Sequence, residues 1–436
     1  DAPLSWGLVV ARLLYSLLFF LLLPLMVIRL LWRSLRSPAY RQRISERFGQ
    51  VPGAIPRGAI WVHAVSVGES VAAQPLIERL LARYPETPLL MTTTTPTGAA
   101  QVKRMFGDRV HHAYLPYDLP LFWSIFFNRV QPRLLVIMET ELWPNLLAHC
   151  ESRQVPAILA NARLSEKSAR GYRKFSALTA PMLQRLTAIA VQSAADGERF
   201  IQLGYPSQRL SQTGSIKFDV AIADHPQQQG QALRQQWGQQ RPVLALASSH
   251  EGEDELLLEC YPRLAAANPG LILMLIPRHP ERFDQVAQLI QQYDLTMHRR
   301  TEGDMAAARA DQIQVYLADT MGEMLPLLSA TDVVVMGGSF EPVGGHNPIE
   351  PAALGKPVLM GPHAFNFATI VAGLAAHGAL ETCTATQLNQ TLLELFEQRE
   401  HQIAMGKAGL HFVQAHRGAV DRLEQVISPY LVETHT

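Results

Sequence analysis

The sequence predicts an α/β protein of two doubly wound parallel sheets, headed by an apolar N-terminal helix. Three observations predict it. Strand-length apolar runs alternate with helical segments through both halves, the pattern of parallel strands joined by crossover helices. With 436 residues the chain is too long for one core, so two domains are expected. Residues 13–31 are almost wholly apolar and run into a cluster of arginines.

The apolar run comes first in the chain. About 20 such residues can span a bilayer, and this run meets that length with Pro24 inside it. Arg12 and Arg29 would snorkel from its two ends. Arg33, Arg36, Arg41, Arg43 and Arg47 follow, with Glu46 the only acid among them, which places the remainder on the cytoplasmic side. A helix lying in the membrane interface is the competing reading. No small-residue cleavage site follows, so a cleaved signal peptide is not expected.

In the first half, residues 59–64, 88–93, 112–115, 134–138, 157–160 and 188–191 read as strands. A helical run is expected over 70–81 and another after the turn at 96–98. Ligands of such sheets sit beyond the carboxyl ends of the strands. Those ends carry Ser66-Val67-Gly68-Glu69, threonines 92–95, Glu139-Thr140-Glu141, Asn161-Ala162-Arg163 and Gln192-Ser193. Ser66-x-x-Glu69 also has the form of a capping box, as do Ser248-x-x-Glu251 and Thr320-x-x-Glu323, so spacing alone leaves Glu69 either a cap or a catalytic group. Lys217, one of only six lysines, follows a Gly-Ser turn near the expected domain crossing. There it could offset leaving-group charge or simply be solvated. The glutamine-rich stretch 227–240 reads as a linker.

In the second half, residues 242–247, 271–276, 315–317, 333–335 and 358–360 read as strands, and 386–399, 401–416 and 418–432 as helices. The strand ends offer Ser248-Ser249-His250-Glu251, Pro277-Arg278-His279-Pro280 and Met321-Gly322-Glu323. Two prolines pin Arg278 where a phosphate could be gripped bidentately. After the 333–335 strand come Gly337-Gly338, Gly344-Gly345 and Asn347-Pro348-Ile349-Glu350. The glycines suggest an anion-binding loop, with Asn347 as helix cap, Pro348 at the first helical position and Gly355 ending a short helix. Glu350 would either close a capping box or reach a ribose hydroxyl. No Asp-x-Asp pair stands at a strand end to hold a divalent ion on a diphosphate, so no metal is expected.

Lys+Arg and Asp+Glu are both 38, giving no pull toward nucleic acid. Cys150, Cys260 and Cys383 lie far apart without zinc-like spacing and suit a reducing compartment as small core residues.

Taken together these blocks resemble the 3-deoxy-D-manno-octulosonic acid (Kdo) transferases of lipopolysaccharide synthesis. The resemblance covers essentially the whole chain. It rests on the anchor with its arginine flank, on Trp61-Val62-His63-Ala64-Val65-Ser66-Val67-Gly68-Glu69 and on Glu139-Thr140-Glu141-Leu142-Trp143-Pro144-Asn145. It continues through Thr213-Gly214-Ser215-Ile216-Lys217-Phe218, Pro277-Arg278-His279-Pro280 and Gly344-Gly345-His346-Asn347-Pro348-Ile349-Glu350. It implies a GT-B glycosyltransferase whose two Rossmann-like domains face a cleft. The expected layout is an anchor over 1–33, an acceptor-binding domain over 34–217, a linker over 218–240, a donor-nucleotide domain over 241–417 and a terminal helix over 418–436 packing back on the first domain.

The implied reaction moves Kdo from CMP-Kdo to the 6′-hydroxyl of the tetra-acylated lipid A precursor, with a second Kdo often added to the first. The resemblance makes Glu69 the proton acceptor and Glu139 and Lys217 the transition-state stabilisers. It assigns CMP binding to Pro277, Arg278, Met321, Gly322, Glu323, Asn347, Pro348, Ile349 and Glu350. No cofactor or metal is implied, since one leaving phosphate needs less neutralisation than a diphosphate. The implied partners are CMP-Kdo, the lipid A precursor and the anionic cytoplasmic face of the inner membrane, not nucleic acid. The arginines at 33–47 fit either a topology signal or contact with acceptor phosphates. A GT-B enzyme using a UDP-sugar on a lipid acceptor, or a non-catalytic lipid-binding protein of this fold, are the alternatives.

Overall fold

The computed structural model describes residues 6–219, 224–304 and 310–431. Contacts divide the chain into two units, 1–219 with 417–436, and 220–416.

The first unit holds seven strands: β1 (Ile60–His63), β2 (Leu89–Thr93), β3 (His111–Tyr114), β4 (Leu134–Met138), β5 (Ala157–Ala162), β6 (Ala188–Val191) and β7 (Leu210–Gln212). They pair in parallel in the order β3-β2-β1-β4-β5-β6-β7. Helices cover both faces, so the inner strands are continuously apolar rather than alternating; β4 is Leu-Leu-Val-Ile-Met and buried throughout. Trp61, Trp123 and Phe126 fill the core on one face. On the other, Ile60, Val62 and Ile216 pack with Val420, Leu423 and Ile427 from the terminal helix Ala419–Ile427. Asp219 ties that helix down, its carboxylate accepting the backbone N–H groups of Gly418 and Val420 at 2.6 Å each.

The second unit has β8 (Val243–Ser249), β9 (Ile272–Pro277), β10 (Met297–Arg299), β11 (Val315–Leu317), β12 (Val333–Met336), β13 (Val358–Met360) and β14 (Leu380–Thr382). Their order is β10-β11-β9-β8-β12-β13-β14, again parallel. Strand order therefore reverses beside β1 and β4 in one sheet and beside β8 and β12 in the other, and such switch points open the crevices where ligands of doubly wound sheets bind.

Several expectations need correction. The helical run expected over 70–81 is two helices, Val67–Ala72 and Gln74–Arg83, because Pro75 sits in the first turn of the second. The glutamine-rich stretch expected as a linker is the helix Asp224–Trp237, which buries Leu233 and Trp237 and sets the indole 4.7 Å from the Tyr316 ring. Glutamine is a good helix former, and an apolar pair at i and i+4 supplies a packing edge. Strands β7, β10 and β14 lie outside the expected set. The N-terminal apolar segment forms the helix Trp6–Arg36.

Candidate active site

In the first unit, Ser66 caps the helix Val67–Ala72, its Oγ accepting the Glu69 N–H at 3.3 Å. Glu69 does not complete a capping box. Its Oε2 accepts instead from the N–H of Val65, one residue before the cap, at 2.8 Å. Burial pushes its carboxyl up to about 7, the nearby negative charges of Glu139 and Glu141 push the same way, and the Val65 bond opposes them. A carboxyl held near neutrality is poised as a general base.

Glu139 follows β4 on the other side of the switch point. It adopts a left-handed backbone (φ 57°) while its N–H still donates to Ala160 at 2.9 Å. Such conformations are costly for non-glycine residues and cluster at functional sites. Its Oε1 lies 3.7 Å from Lys217 Nζ, with both side chains about four-fifths buried. Lys217 rides on the 3-10 turn Ile216–Phe218, whose cap Ser215 accepts the Lys217 N–H. The turn is fixed by Asn161, whose Oδ1 accepts the Ile216 N–H at 3.2 Å. Asn161 is fully buried and also left-handed, at φ 53°. Glu69, Glu139 and Lys217, scattered over some 150 positions of sequence, thus come together at one switch point.

The second unit differs from expectation first in its glycine-rich loop. The loop after β12 does present converging N–H groups, as the glycines suggested, but an anion already fills them. The buried Glu253 carboxylate accepts from Gly338 at 2.7 Å, Ser339 at 3.1 Å, Phe340 at 3.0 Å and His250 at 2.9 Å. The helix it belongs to, Glu253–Ala267, is capped at Gly252, so the Ser248-x-x-Glu251 box is not formed. Ser249 donates to Asp254 at 2.6 Å and is likewise committed to the fold.

What remains for a ligand is a set of side chains. Arg282, Arg299 and Arg300 are ion-paired with Asp254, Asp319 and Glu323. Arg278, whose N–H donates to Ser249 O at 3.1 Å, has no hydrogen-bonded or ionic partner for its guanidinium among the described residues. Beside it, His250 and His346 set their Nε2 atoms 2.8 Å apart, so one ring donates and the other accepts. The His279 ring packs edge-on against His250 at 5.3 Å. Burial, and then the charges of His250, Arg278 and His279, hold His346 down to about 4. An incoming phosphate would relieve that electrostatic crowding.

The other expected nucleotide residues lie at or after the carboxyl ends of β9, β11 and β12. Pro277 ends β9 and is buried. The helix after Asn347 starts at Ile349, one residue later than expected, with Pro348 as its cap. Asn347 Oδ1 accepts the Ile349 N–H at 3.1 Å and its side chain bonds Glu350, whose carboxyl burial pushes up. Glu323 itself stands at the cap position of the helix Met324–Ser329, so the Thr320-x-x-Glu323 box is not formed, and its carboxylate accepts from Thr320 and from Arg300 at 2.9 Å. Met321 and Gly322 are exposed. Among the described residues no three or more His, Cys, Asp or Glu side chains converge as metal ligands would. Of the arginines at 33–47, Arg43 and Arg47 serve the fold: Arg43 pairs with Glu46 at 2.6 Å, and Arg47 is buried and donates to Thr94 O at 2.8 Å.

Two parallel seven-stranded sheets with helices on both faces give the chain a GT-B-like fold. The UDP-GlcNAc 2-epimerase of Neisseria meningitidis, bound to UDP-GlcNAc, shares the fold at a TM-score of 0.55 and 14% identity, covering 85% of this chain and 100% of that one. A family model described as 3-deoxy-D-manno-octulosonic-acid transferase (kdotransferase) matches residues 42–220. The 3-deoxy-D-manno-octulosonic acid transferase of Haemophilus influenzae is 41% identical over 96% of this chain and 99% of its own length. That of Bordetella pertussis is 38% identical over 92% and 95%. The chain belongs to the Kdo transferase family.

Proposed function

We propose that this protein transfers Kdo from CMP-Kdo to the 6′-hydroxyl of the tetra-acylated lipid A precursor, adds a second Kdo to the first, and works at the cytoplasmic face of the inner membrane. The observation that carries the reading is Glu69, a carboxyl raised to about 7 beside the Glu139–Lys217 pair. Its ionised form takes the proton from the acceptor hydroxyl as that oxygen bonds the anomeric carbon. The bond from that carbon to the CMP phosphate oxygen breaks on the opposite face, so configuration inverts without a protein nucleophile. Glu139 answers the positive charge that develops on the sugar, and Lys217 the negative charge that develops on the departing CMP.

Arg278 supplies the uncommitted cation for the CMP phosphate. Pro277, Met321 to Glu323 and Asn347 to Glu350 hold the rest of the nucleotide. This grip is built from side chains and asks for no metal ion.

The test is a transfer assay with CMP-Kdo and the lipid A precursor, with EDTA throughout, comparing the intact protein with Glu69→Gln and reading products by mass spectrometry. Transfer of one or two Kdo units by the intact protein, and a loss of about 10²–10⁴-fold in a variant that still binds CMP, is the expected result. Normal turnover by the variant would return Glu69 to a structural role. Failure of the intact, folded protein would redirect attention to a UDP-sugar donor.

A further inference from the structure

The apolar helix Trp6–Arg36 lies along the first unit rather than projecting from it. A stripe at helical spacing, Ser16, Leu23, Leu30 and Ser34 among it, faces the unit. A polar lock fastens its first half to the unit, and the turn that follows the helix, Pro38–Arg41, folds back on its end. Near the start, Ser16 exchanges hydrogen bonds with the Asn145 side chain at 3.0 and 3.2 Å. Tyr15 bonds the buried Asp118, which also accepts the N–H groups of Asn145 and Leu146 at 3.0 and 2.9 Å and that of the Trp123 indole at 2.7 Å. Near the end, Arg41 donates to Ser34 at 3.0 Å, and Leu30 is buried. Ser16 and Ser34 are about 27 Å apart along the axis, close to the hydrocarbon thickness of a bilayer.

That geometry conflicts with a crossing. In a span centred on the apolar segment 10–35, Tyr15 and Ser16 would lie about 10 Å from the midplane. Asn145 and Asp118 would have to lie there too, and with them the start of the helix Pro144–Ser152, which carries the exposed Glu151–Arg185 ion pair in its last turn. Charged groups at that depth are costly, and they occur there only where they face a protein interior or a water-filled cavity.

The opposite face of the helix shows what covers it. Of the 23 exposed large apolar side chains among the described residues, 13 are on this helix, with Leu21, Leu25, Ile28 and Leu35 the most exposed. No acid occurs between Trp6 and Arg36, while Arg29 and Arg33 flank the apolar line. The helix Ser176–Gln184 packs beside it and carries Phe175, 69% exposed, at its head. The preceding helix Glu166–Arg173 adds Lys167, Arg170 and Arg173, all exposed, and Lys174 follows. A wide apolar ridge bordered by cations fits the surface of an anionic bilayer, with acyl chains under the ridge and phosphates at the rim.

We infer that the N-terminal helix lies in the plane of the membrane as a fixed keel of the first unit, its outer face in one leaflet of anionic lipid, and does not cross. The inference rests on the membrane attachment proposed above and replaces a tether by a docked surface.

Cysteine labelling tests it on the full chain, because Cys150, Cys260 and Cys383 are buried. Ser5→Cys reports the side of the membrane on which the chain enters the helix, and Glu86→Cys, at an exposed site, reports the side on which the globular part lies. In sealed vesicles of phosphatidylglycerol and phosphatidylethanolamine, an impermeant maleimide should label both introduced thiols together or, in the opposite orientation, neither until detergent is added. Labelling at position 86 with position 5 protected until detergent would mean a crossing helix and overturn the inference. Failure of the folded chain to float with vesicles at all would mean that the ridge is covered by another protein surface, which overturns it as well; transfer activity, measured separately, reports on the function independently. Removing the lock with Tyr15→Phe and Ser16→Ala together should leave flotation intact and let part of the thiol population at position 5 become protected. Complete labelling in that double variant would refute the lock.

Discussion

The pH dependence of transfer follows from Glu69. Its carboxyl is raised from an ordinary 4.5 to about 7, so the base is absent below that pH and present above it. At pH 6 about a tenth of the molecules would carry the ionised base and at pH 8 about nine-tenths, so single-turnover transfer should rise about ten-fold between them. A carboxyl at its ordinary value would give a flat profile over the same range. His346, held to about 4, is already neutral throughout it, and CMP binding by calorimetry provides the control. The same shift bears on stability with the opposite sign. The fold favours the protonated carboxyl, so this contribution is full below 4.5 and is lost as pH rises through about 7. The rise amounts to roughly 3 kcal/mol, which partial exposure reduces to about 1–2 kcal/mol. Glu69→Gln should therefore melt ~2–8 °C higher than the wild type at pH 8 and equal to it near pH 4.5. A flat rate profile from pH 6 to 8, or a Gln variant no more stable at pH 8, would refute the reasoning.

Arg278→Met removes a cation that pairs with nothing else described, so melting should be unchanged while the Kd for CMP rises about 10–150-fold; unaltered affinity in calorimetry would remove Arg278 from the phosphate site. Glu253→Gln turns an amide N–H₂ toward backbone donors and should cost about 3–5 kcal/mol, or ~6–20 °C in the melting of the second unit. An unchanged melting curve would mean that the loop does not need its internal anion. Asn161→Gly keeps the left-handed backbone and deletes only the side chain that holds the Ile216 N–H. Its kcat should fall about ten-fold or more with CMP affinity intact, and equal losses in both would place Asn161 in general stability instead.

The fold was legible wherever burial on both faces left continuous apolar runs, as in Leu-Leu-Val-Ile-Met of β4 or Val-Val-Val-Met of β12. The strands that escape such a reading, β7, β10 and β14, are three-residue sheet edges reading Leu-Ser-Gln, Met-His-Arg and Leu-Glu-Thr. They pair because a neighbour offers a template, and one-sided burial leaves too short a pattern to read. Ser66 and Glu69 were legible as a capping pair, but that Glu69 reaches back to Val65 depends on the turn after β1. Arg278 stood out because prolines bracket it. His250 and His346, 96 positions apart, become partners only when β8 and β12 lie side by side. Their signal was present in the strand-end rule, had every polar residue at those ends been paired with every other. Glu253 had no such signal: one glutamate among three acids at a helix start, its role is fixed by a loop 85 residues later.

The terminal helix carries a consequence for the order of synthesis. Val420, Leu423 and Ile427 belong to the core built on β1, and Arg79 reaches Asp421 and Glu424 at 2.6 Å. Between Asp219 and that helix the ribosome must make the whole second unit, 416 − 219 = 197 residues. At ordinary elongation rates this takes about 10–40 s. For that interval the second unit has everything it needs to fold, while the first, begun earlier, lacks the helix that completes one face of its sheet beside Leu76, Ile77 and Leu80. The part of the chain that is translated first is thus the part that is finished last, and its nascent form presents unpaired apolar surface to chaperones and to the membrane long enough for either to act on it.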